Sequence, residues 1–89
     1  MSAEINLKIK AIAATIRQKR EFRNYTQEYL AFKLKISQNA YSKIELGYTK
    51  ITLERLFQIA EVLEFKPGEL IDPEQDDLPA LKLLNTGTD

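Results

Sequence analysis

Apolar residues recur at intervals of three and four along most of this chain, which is the spacing that places side chains on one face of an α-helix. The first stripe of this kind consists of Ile9, Ile12, Ala13, Ile16 and Arg20. It predicts an amphipathic helix over about residues 8–22, with the stripe turned towards the core.

Three hydroxyl residues mark the starts of further helices. Thr26, Ser37 and Thr52 each precede an apolar run, where the side-chain oxygen can accept a hydrogen bond from a first-turn N–H. Asn24 suits a left-handed exit from the first helix, and Gly47 suits the end of the third. The chain is thus divided into short helical segments.

These segments predict five helices in about 65 residues, and therefore an all-α fold. The second helix ends near Leu34, the third spans about residues 37–46, and the fifth begins at Pro67. The expected inward residues of helices two to five are Leu30, Ala31, Leu34, Tyr41, Ile44, Leu53, Leu56, Ile59, Ala60, Leu63, Leu70 and Ile71.

The length of 89 residues predicts one compact core and leaves no room for a second catalytic or sensor domain. We expect residues 1–72 to form this domain. Residues 73–89 form an acidic tail that holds the small cluster Leu78, Leu81, Leu83 and Leu84. Two interpretations stay open for the tail, a frayed end or an added dimer contact.

The net charge of zero conceals an asymmetry along the chain. Residues 1–50 hold ten Lys and Arg against four Glu, whereas residues 51–89 hold three basic residues against nine acidic ones. The two halves therefore carry +6 and −6. The basic half is where a phosphate backbone would be met.

Several classes of function find no support in the residues. The chain has no Cys and no His, and no pair of carboxylates falls on an evident apolar pocket lining. We therefore expect neither catalysis nor a metal site, a cofactor or a small-molecule ligand. The sequence contains no long uncharged apolar run of the kind that forms a signal peptide or a membrane span. A cytoplasmic location is therefore expected by default.

The second and third helices form a pair over residues 27–46, joined by a turn of about three or four residues. In a helix-turn-helix motif, the second helix of such a pair enters the major groove of DNA while the first lies across it. A small residue, Ala31, allows the two helices to approach closely. Periodicity alone would describe any antiparallel helix pair equally well.

The run from Thr26 to Leu70 resembles the Cro/XRE-type, or lambda-repressor-like, helix-turn-helix family, and the similarity covers roughly residues 9–71. The most specific elements are Thr26-Gln27, Leu30-Ala31, Ile36-Ser37-Gln38, Ser42-Lys43-Ile44-Glu45 and Gly47. The resemblance implies a five-helix domain that binds double-stranded operator DNA in the major groove, commonly as a homodimer on a pseudo-palindromic site and without a cofactor.

The resemblance also implies roles for individual residues. Gln27 matches the glutamine that clamps a backbone phosphate and braces the recognition helix. Gln38 and Asn39 match its first two exposed positions, where an amide can pair with adenine N6 and N7. All three could instead be ordinary solvent-exposed residues.

Further contacts to DNA are expected around the same helix. Lys43 can reach guanine acceptors or a phosphate, and Ser42 can contact either. Ser37 starts the helix and belongs to this set. In the following loop, Lys50 fits a phosphate contact and Tyr48 can add a hydroxyl donor, although both also fit a solvated loop. Weaker candidates are Arg17, Lys33 and Lys35.

Arg20 and Glu45 are expected to form a partly buried ion pair that orients the third helix. The resemblance implies this pairing, and Arg20 lies on an apolar stripe where an unpaired charge would be costly. Tyr41 occupies a position that is usually aliphatic in the family. Packing is its expected role, with a phenol contact to the DNA backbone as the alternative.

Three residues depart from the family pattern. Lys35 and Glu64 stand where glycine is common, and Lys19 replaces a usually apolar residue. A left-handed Lys35 would cost on the order of 1 kcal/mol, so a different turn conformation, with an altered angle between the two helices, is the alternative expectation.

The sequence thus predicts a transcriptional regulator, with repression expected over activation. One alternative is the antitoxin of a toxin-antitoxin pair, whose acidic C-terminal half holds a basic toxin while the protein regulates its own promoter. Another is a protein-interaction module that has lost DNA binding. The expected dimer surface is the fifth helix together with the Leu78 to Leu84 cluster.

Overall fold

The computed structural model of the chain describes residues 2–73, which form five helices and contain no strand. The elements are α1 (Ala3–Phe22), α2 (Gln27–Leu34), α3 (Gln38–Glu45), α4 (Leu53–Leu63) and α5 (Pro67–Ile71). Helix α1 packs against α3, α4 and α5, while α2 packs against α3 and α4. The five-helix, all-α prediction is therefore confirmed. Within these residues, no helix combines the length and apolar composition that a membrane crossing requires.

The first helix begins five residues earlier than predicted. Ser2 caps it, because the Ser2 hydroxyl accepts a hydrogen bond from the backbone N–H of Ile5 at 3.2 Å. Glu4 lies in the first turn, where a carboxylate favours the positive end of the helix dipole. The apolar stripe misplaced the start because the added turns are exposed.

The predicted caps are confirmed. Thr26, Ser37 and Thr52 each accept a hydrogen bond from the backbone N–H three residues later, at 3.0, 3.0 and 3.1 Å. Asn24 has a φ of 61° after α1, and Gly47 has a φ of 77° after α3. The predicted span of 37–46 for the third helix is α3 together with its two capping residues, Ser37 and Leu46.

The core holds most of the residues that the periodicity placed there. The buried apolar residues are Ala13, Ile16, Leu30, Ala31, Leu34, Tyr41, Ile44, Leu56, Ile59, Ala60, Leu63 and Leu70. Three predicted inward residues are wrong, because Ile9, Leu53 and Ile71 are 40, 68 and 48 % exposed. Leu53 and Ile71 are the first residue of α4 and the last of α5, so no further turn covers them.

Two left-handed turns set the angles between successive helices. Lys35 has φ and ψ of 60° and 42°, and Glu64 has 62° and 42°. The backbone N–H of Ile36 donates to Ala31 O, and that of Phe65 donates to Ala60 O, both at 3.0 Å. This is the hydrogen-bond pattern of a Schellman motif. The alternative expectation of another conformation at Lys35 was therefore wrong.

Lys19 and Arg23 gather around an aromatic pair at the end of α1. The rings of Phe22 and Phe65 lie 6.1 Å apart, and Lys19 Nζ lies 4.6 Å from the centre of the Phe65 ring. A cation over a ring face is stabilising, which explains a lysine at this usually apolar position. The predicted tail, residues 73–89, lies outside the described residues beyond Pro73.

Candidate nucleic-acid interface

Helix α3 separates a buried face from an exposed one. Tyr41, Ile44 and Glu45 are buried, whereas Gln38, Asn39 and Lys43 are exposed. At 100° per residue, the exposed side chains span one continuous arc on the side opposite the core. The two amides and the lysine are therefore presented together, on a helix whose other side is fixed by packing.

The expected ion pair anchors the end of α3 to α1. Arg20 Nε donates to Glu45 Oε2 at 2.6 Å, and Arg20 Nη2 donates to Glu45 Oε1 at 3.0 Å. The two side chains are only 11 and 2 % exposed. Arg20 Nη1 also donates to Tyr25 O at 2.8 Å. This two-point contact fixes the rotation of α3 about its axis, because a bidentate pair tolerates little misalignment.

Gln27 joins the same arrangement from α2. Gln27 Nε2 donates to Glu45 Oε1 at 3.1 Å, so the amide is held at the edge of α3. A side-chain NH₂ has two hydrogens, and this bond uses one of them. Gln27 thus braces α3 in the structure and keeps one N–H that this bond does not use.

The electrostatics of Glu45 reflect these contacts. Burial opposes ionisation of the carboxyl, but the Arg20 guanidinium, the nearby Tyr41 hydroxyl and the Gln27 amide outweigh it and hold the pKa of Glu45 below its usual range. The hydrogen bond to Glu45 likewise raises the pKa of Arg20, although burial acts against it. Both groups therefore stay charged at neutral pH.

Tyr41 is part of the core and does not reach the exposed face of α3. Its side chain is fully buried, and its hydroxyl makes no hydrogen bond to the described part of the chain. Burial raises the pKa of Tyr41, so the phenol stays protonated. The packing role is confirmed, and the alternative contact to a DNA backbone is wrong because the ring lies behind α3.

A basic groove runs along the other edge of α3, between its first turns and the start of α4. Its volume is about 370 Å³. We define it by its lining residues, which are Ile36, Ser37, Asn39, Ala40, Lys43, Ile44, Thr49, Lys50, Ile51, Thr52 and Arg55. Three are cationic, and no carboxylate is among them, which is the charge pattern that suits a polyanion.

Four of the predicted DNA-binding residues meet in this groove, namely Ser37, Asn39, Lys43 and Lys50. Gln38 is exposed at the first position of α3, outside the groove, and Ser42 beside it is half-buried. Tyr48 is 75 % exposed in the loop. Gln27 lies at the opposite edge of α3, next to Glu45. The candidate surface is therefore the exposed face of α3 with a contact region on each side.

The weaker cationic candidates do not line the basic groove. Arg17 Nε is bonded to Glu21 Oε2 at 3.2 Å, one helical turn along α1. Lys33 and Lys35 are exposed on α2 and at its end, and neither lines the groove. The structure gives these three residues no shared arrangement with α3.

Arg55 is a member of the groove that the sequence analysis missed. Arg55 Nη1 donates to Gln58 Oε1 at 3.0 Å and to Leu34 O, the end of α2, at 3.4 Å. The other guanidinium N–H groups face no carboxylate among the groove residues. A basic residue in the first turn of a helix is disfavoured by the helix dipole, and this signal could have identified Arg55.

Comparison with known proteins agrees with this geometry. Residues 16–70, more than half of the chain, match the helix-turn-helix family of the Cro/C1 type, also called XRE. The chain belongs to the Cro/C1-type helix-turn-helix family. Membership of this family makes it a DNA-binding protein of the transcription-regulator class.

A solved structure shares the fold. The clp gene regulator ClgR from Corynebacterium glutamicum has a TM-score of 0.68 to this Cro/C1-type chain, over 90 % of this chain and 93 % of the other. The two sequences are 17 % identical, so the similarity concerns the fold. No curated protein matches the sequence.

Proposed function

We propose that this protein binds double-stranded DNA sequence-specifically, by inserting the exposed face of α3 into the major groove. The observation that supports this most is the continuity of that face with the basic groove. The exposed amides of α3, which can read bases, adjoin the groove cations, which can bind phosphates, and α3 itself is held in place by Arg20 and Glu45.

Each residue of this surface has a chemical role in the proposal. Gln38 and Asn39 read base edges, because an amide offers one donor and one acceptor to adenine N7 and N6. Lys43 and Ser42 contact bases or phosphates one turn further along α3. The backbone contacts come from Gln27 at one edge, and from Ser37, Tyr48, Lys50 and Arg55 at the other.

We also propose that the protein acts as a homodimeric repressor on a pseudo-palindromic operator. Two-fold operators are met by two recognition helices about 34 Å apart, which one copy of the chain cannot supply. A role in gene control is supported by the fold shared with ClgR, which is named a gene regulator. The cytoplasm is the expected location for this role.

Selection of bound oligonucleotides from a random duplex library tests the proposal. We expect a symmetric sequence motif, and binding by the dimer should fall with salt with a log-log slope of roughly −5 to −9, if about six to ten phosphates are contacted. If the selection enriches no sequence motif while the salt slope has the expected size, the protein binds DNA non-specifically, and this would contradict base reading.

An antitoxin role is the second candidate, and the outer face of α4 favours it. Glu54, Phe57, Gln58 and Glu61 line one shallow surface there, on which Phe57 is about half exposed. Two carboxylates around an exposed aromatic ring suit a basic protein partner. Copurification of a small basic protein, lost in Phe57→Ala with Glu61→Lys but kept in Gln38→Ala, would favour this function.

A binding function is proposed in place of catalysis, with no cofactor or small-molecule ligand. The chain has no His or Cys to act as a nucleophile or a base at neutral pH. Within residues 2–73, no group of acidic side chains could hold a metal ion. The carboxylate that is most buried, Glu45, is already paired with Arg20.

A further inference from the structure

A second groove, predominantly apolar, lies between α1, the start of α4 and α5. Its volume is about 530 Å³. We call it the apolar groove, and its main apolar lining residues are Ile9, Ile12, Ile51, Leu53, Leu56 and Ile71. The residues that departed from the predicted core, Ile9, Leu53 and Ile71, are all here. These three side chains leave part of their apolar surface in water, and its burial by an apolar segment would be favourable.

The place where the described chain ends points to one occupant. Ile71 lines the apolar groove, and the described residues stop two positions later, at Pro73. Leu78 follows Pro73 by five residues, which can span at most about 18 Å. The segment 78–84 contains four leucines and therefore has the composition that this groove can bury.

Charge complementarity favours the same occupant. Glu74, Asp76 and Asp77 lie between Pro73 and the leucines in the sequence. Lys50 lines the apolar groove, and no carboxylate is among the residues that line it. A segment with acidic residues before its apolar ones is thus matched to a groove with a cation at its side.

We propose that residues 78–84 bind in the apolar groove of their own chain, with the leucines against Ile9, Leu53 and Ile71. The occupant is this covalently linked segment, because a linker of only four residues, 74–77, keeps it at a high effective concentration beside the groove. A second copy of the chain would have to compete with it.

The absence of native cysteines allows a direct test in the full chain. Asn6→Cys places a thiol at the groove, where Asn6 is exposed, and Lys82→Cys places one among the leucines without removing any. With oxidised glutathione at low protein concentration, this pair should form an intramolecular disulfide. The matched control is Glu61→Cys with Lys82→Cys, since Glu61 is exposed on another face of α4.

The groove pair should close at least about tenfold faster than the control pair, because docking raises the effective concentration of the two thiols. Adding Leu81→Asp and Leu84→Asp should return its rate to that of the control. Equal rates for both pairs would overturn the proposal. Covalent dimers from the groove pair without intramolecular closure would also overturn it, and would assign the groove to a second copy. The assay contains no DNA, so its outcome is independent of the proposed DNA binding.

Discussion

Two turns of this protein have the same backbone and different surroundings. Residues 34–37 connect α2 to α3, and residues 63–66 connect α4 to α5. Each begins with a buried leucine, continues with a charged residue in the left-handed region, and then places a half-buried apolar side chain. The two left-handed residues differ by only 2° in φ. The turn geometry therefore does not distinguish a DNA-reading helix from a structural one.

An arginine supports each turn, and here the surroundings diverge. Arg23 Nε donates to Leu63 O at 2.8 Å, and its guanidinium lies 4.4 Å from the centre of the Phe65 ring. Arg55 Nη1 approaches Leu34 O at the longer distance of 3.4 Å and lines the basic groove. Arg23 is committed to the fold through these contacts, whereas Arg55 keeps N–H donors that none of its hydrogen bonds uses.

The helices that follow the turns differ in the same sense. Helix α3 exposes two amides and a lysine and is fixed at its end by the Arg20 and Glu45 pair. Helix α5 has five residues, is held by the buried Leu70, and carries Glu69 in its first turn, where an acidic residue suits the helix dipole but repels DNA. The side chains after the turn, and not the turn itself, thus distinguish the helix pair that we propose as the DNA-binding unit.

The largest difference in stability between the two regions should appear when Glu45, at the end of α3, and Glu69, in the first turn of α5, are each replaced by glutamine. Glu45→Gln leaves Arg20 nearly buried without its counter-charge, and we expect the free energy of unfolding to fall by about 3 kcal/mol. Glu69→Gln should lower it by less than about 1 kcal/mol, since Glu69 only accepts from Lys66 N. Urea unfolding of both variants measures this, and equal losses would break the distinction.

Acid should affect the α3 region specifically. Because the folded pKa of Glu45 is depressed, its stabilising contribution is present above the unfolded value of about 4.3 and is lost as pH falls through the folded value. Stability measured from pH 6 down to pH 2 should therefore decline less in Glu45→Gln than in the wild type. The exposed Glu28→Gln serves as the control, and an acid decline as steep in Glu45→Gln as in Glu28→Gln would contradict this assignment.

The two supporting arginines should separate stability from DNA binding. Arg23→Ala removes two charged hydrogen bonds to backbone carbonyls, at Leu63 and Glu64, and should lower the free energy of unfolding by about 2 kcal/mol while the salt slope of DNA binding stays unchanged.

In contrast, Arg55→Ala should lower stability by less than about 1 kcal/mol and should reduce the salt slope by about one per monomer. Salt titrations of DNA binding, performed on folded protein, provide the comparison. An unchanged slope in Arg55→Ala would remove Arg55 from the interface.

The smallest expected effect tests whether the two turns are equivalent. Lys35→Gly and Glu64→Gly each remove the steric strain of a side chain in the left-handed region. Part of this gain is offset, because glycine loses more conformational entropy on folding. We expect both variants to gain about 0.5 kcal/mol in stability. Denaturant midpoints that move in opposite directions would show that the surroundings, and not the shared φ, control the strain.

Local chemistry in the sequence was sufficient to predict most of the fold. The caps Thr26, Ser37 and Thr52 depend on hydrogen bonds within one turn, so they were visible without tertiary information. The start of α1 was not, because its first turns are exposed and contribute no residue to the buried core. The conformation at Lys35 was left open, because local propensity disfavours it and only packing on both sides of the turn stabilises it.

The candidate site was predicted in part for similar reasons. The site residues on α3 and in the loop after it could be predicted from helical spacing and from the resemblance to a family. The clustering of Lys43 and Lys50 with Arg55 depends on how α4 lies against α3, and no sequence pattern encodes that distance. The engagement of Gln27 by Glu45 likewise joins residues eighteen positions apart in the chain.

The central claim is that the exposed face of α3 reads bases, and one competition experiment tests it most directly. Binding of Gln38→Ala and Lys50→Ala is measured on the selected operator and on each of its single base-pair variants. We predict that Gln38→Ala loses discrimination of about 1 to 3 kcal/mol at particular positions, while Lys50→Ala weakens all sequences equally. A uniform loss for Gln38→Ala, with every base preference retained, would contradict the claim.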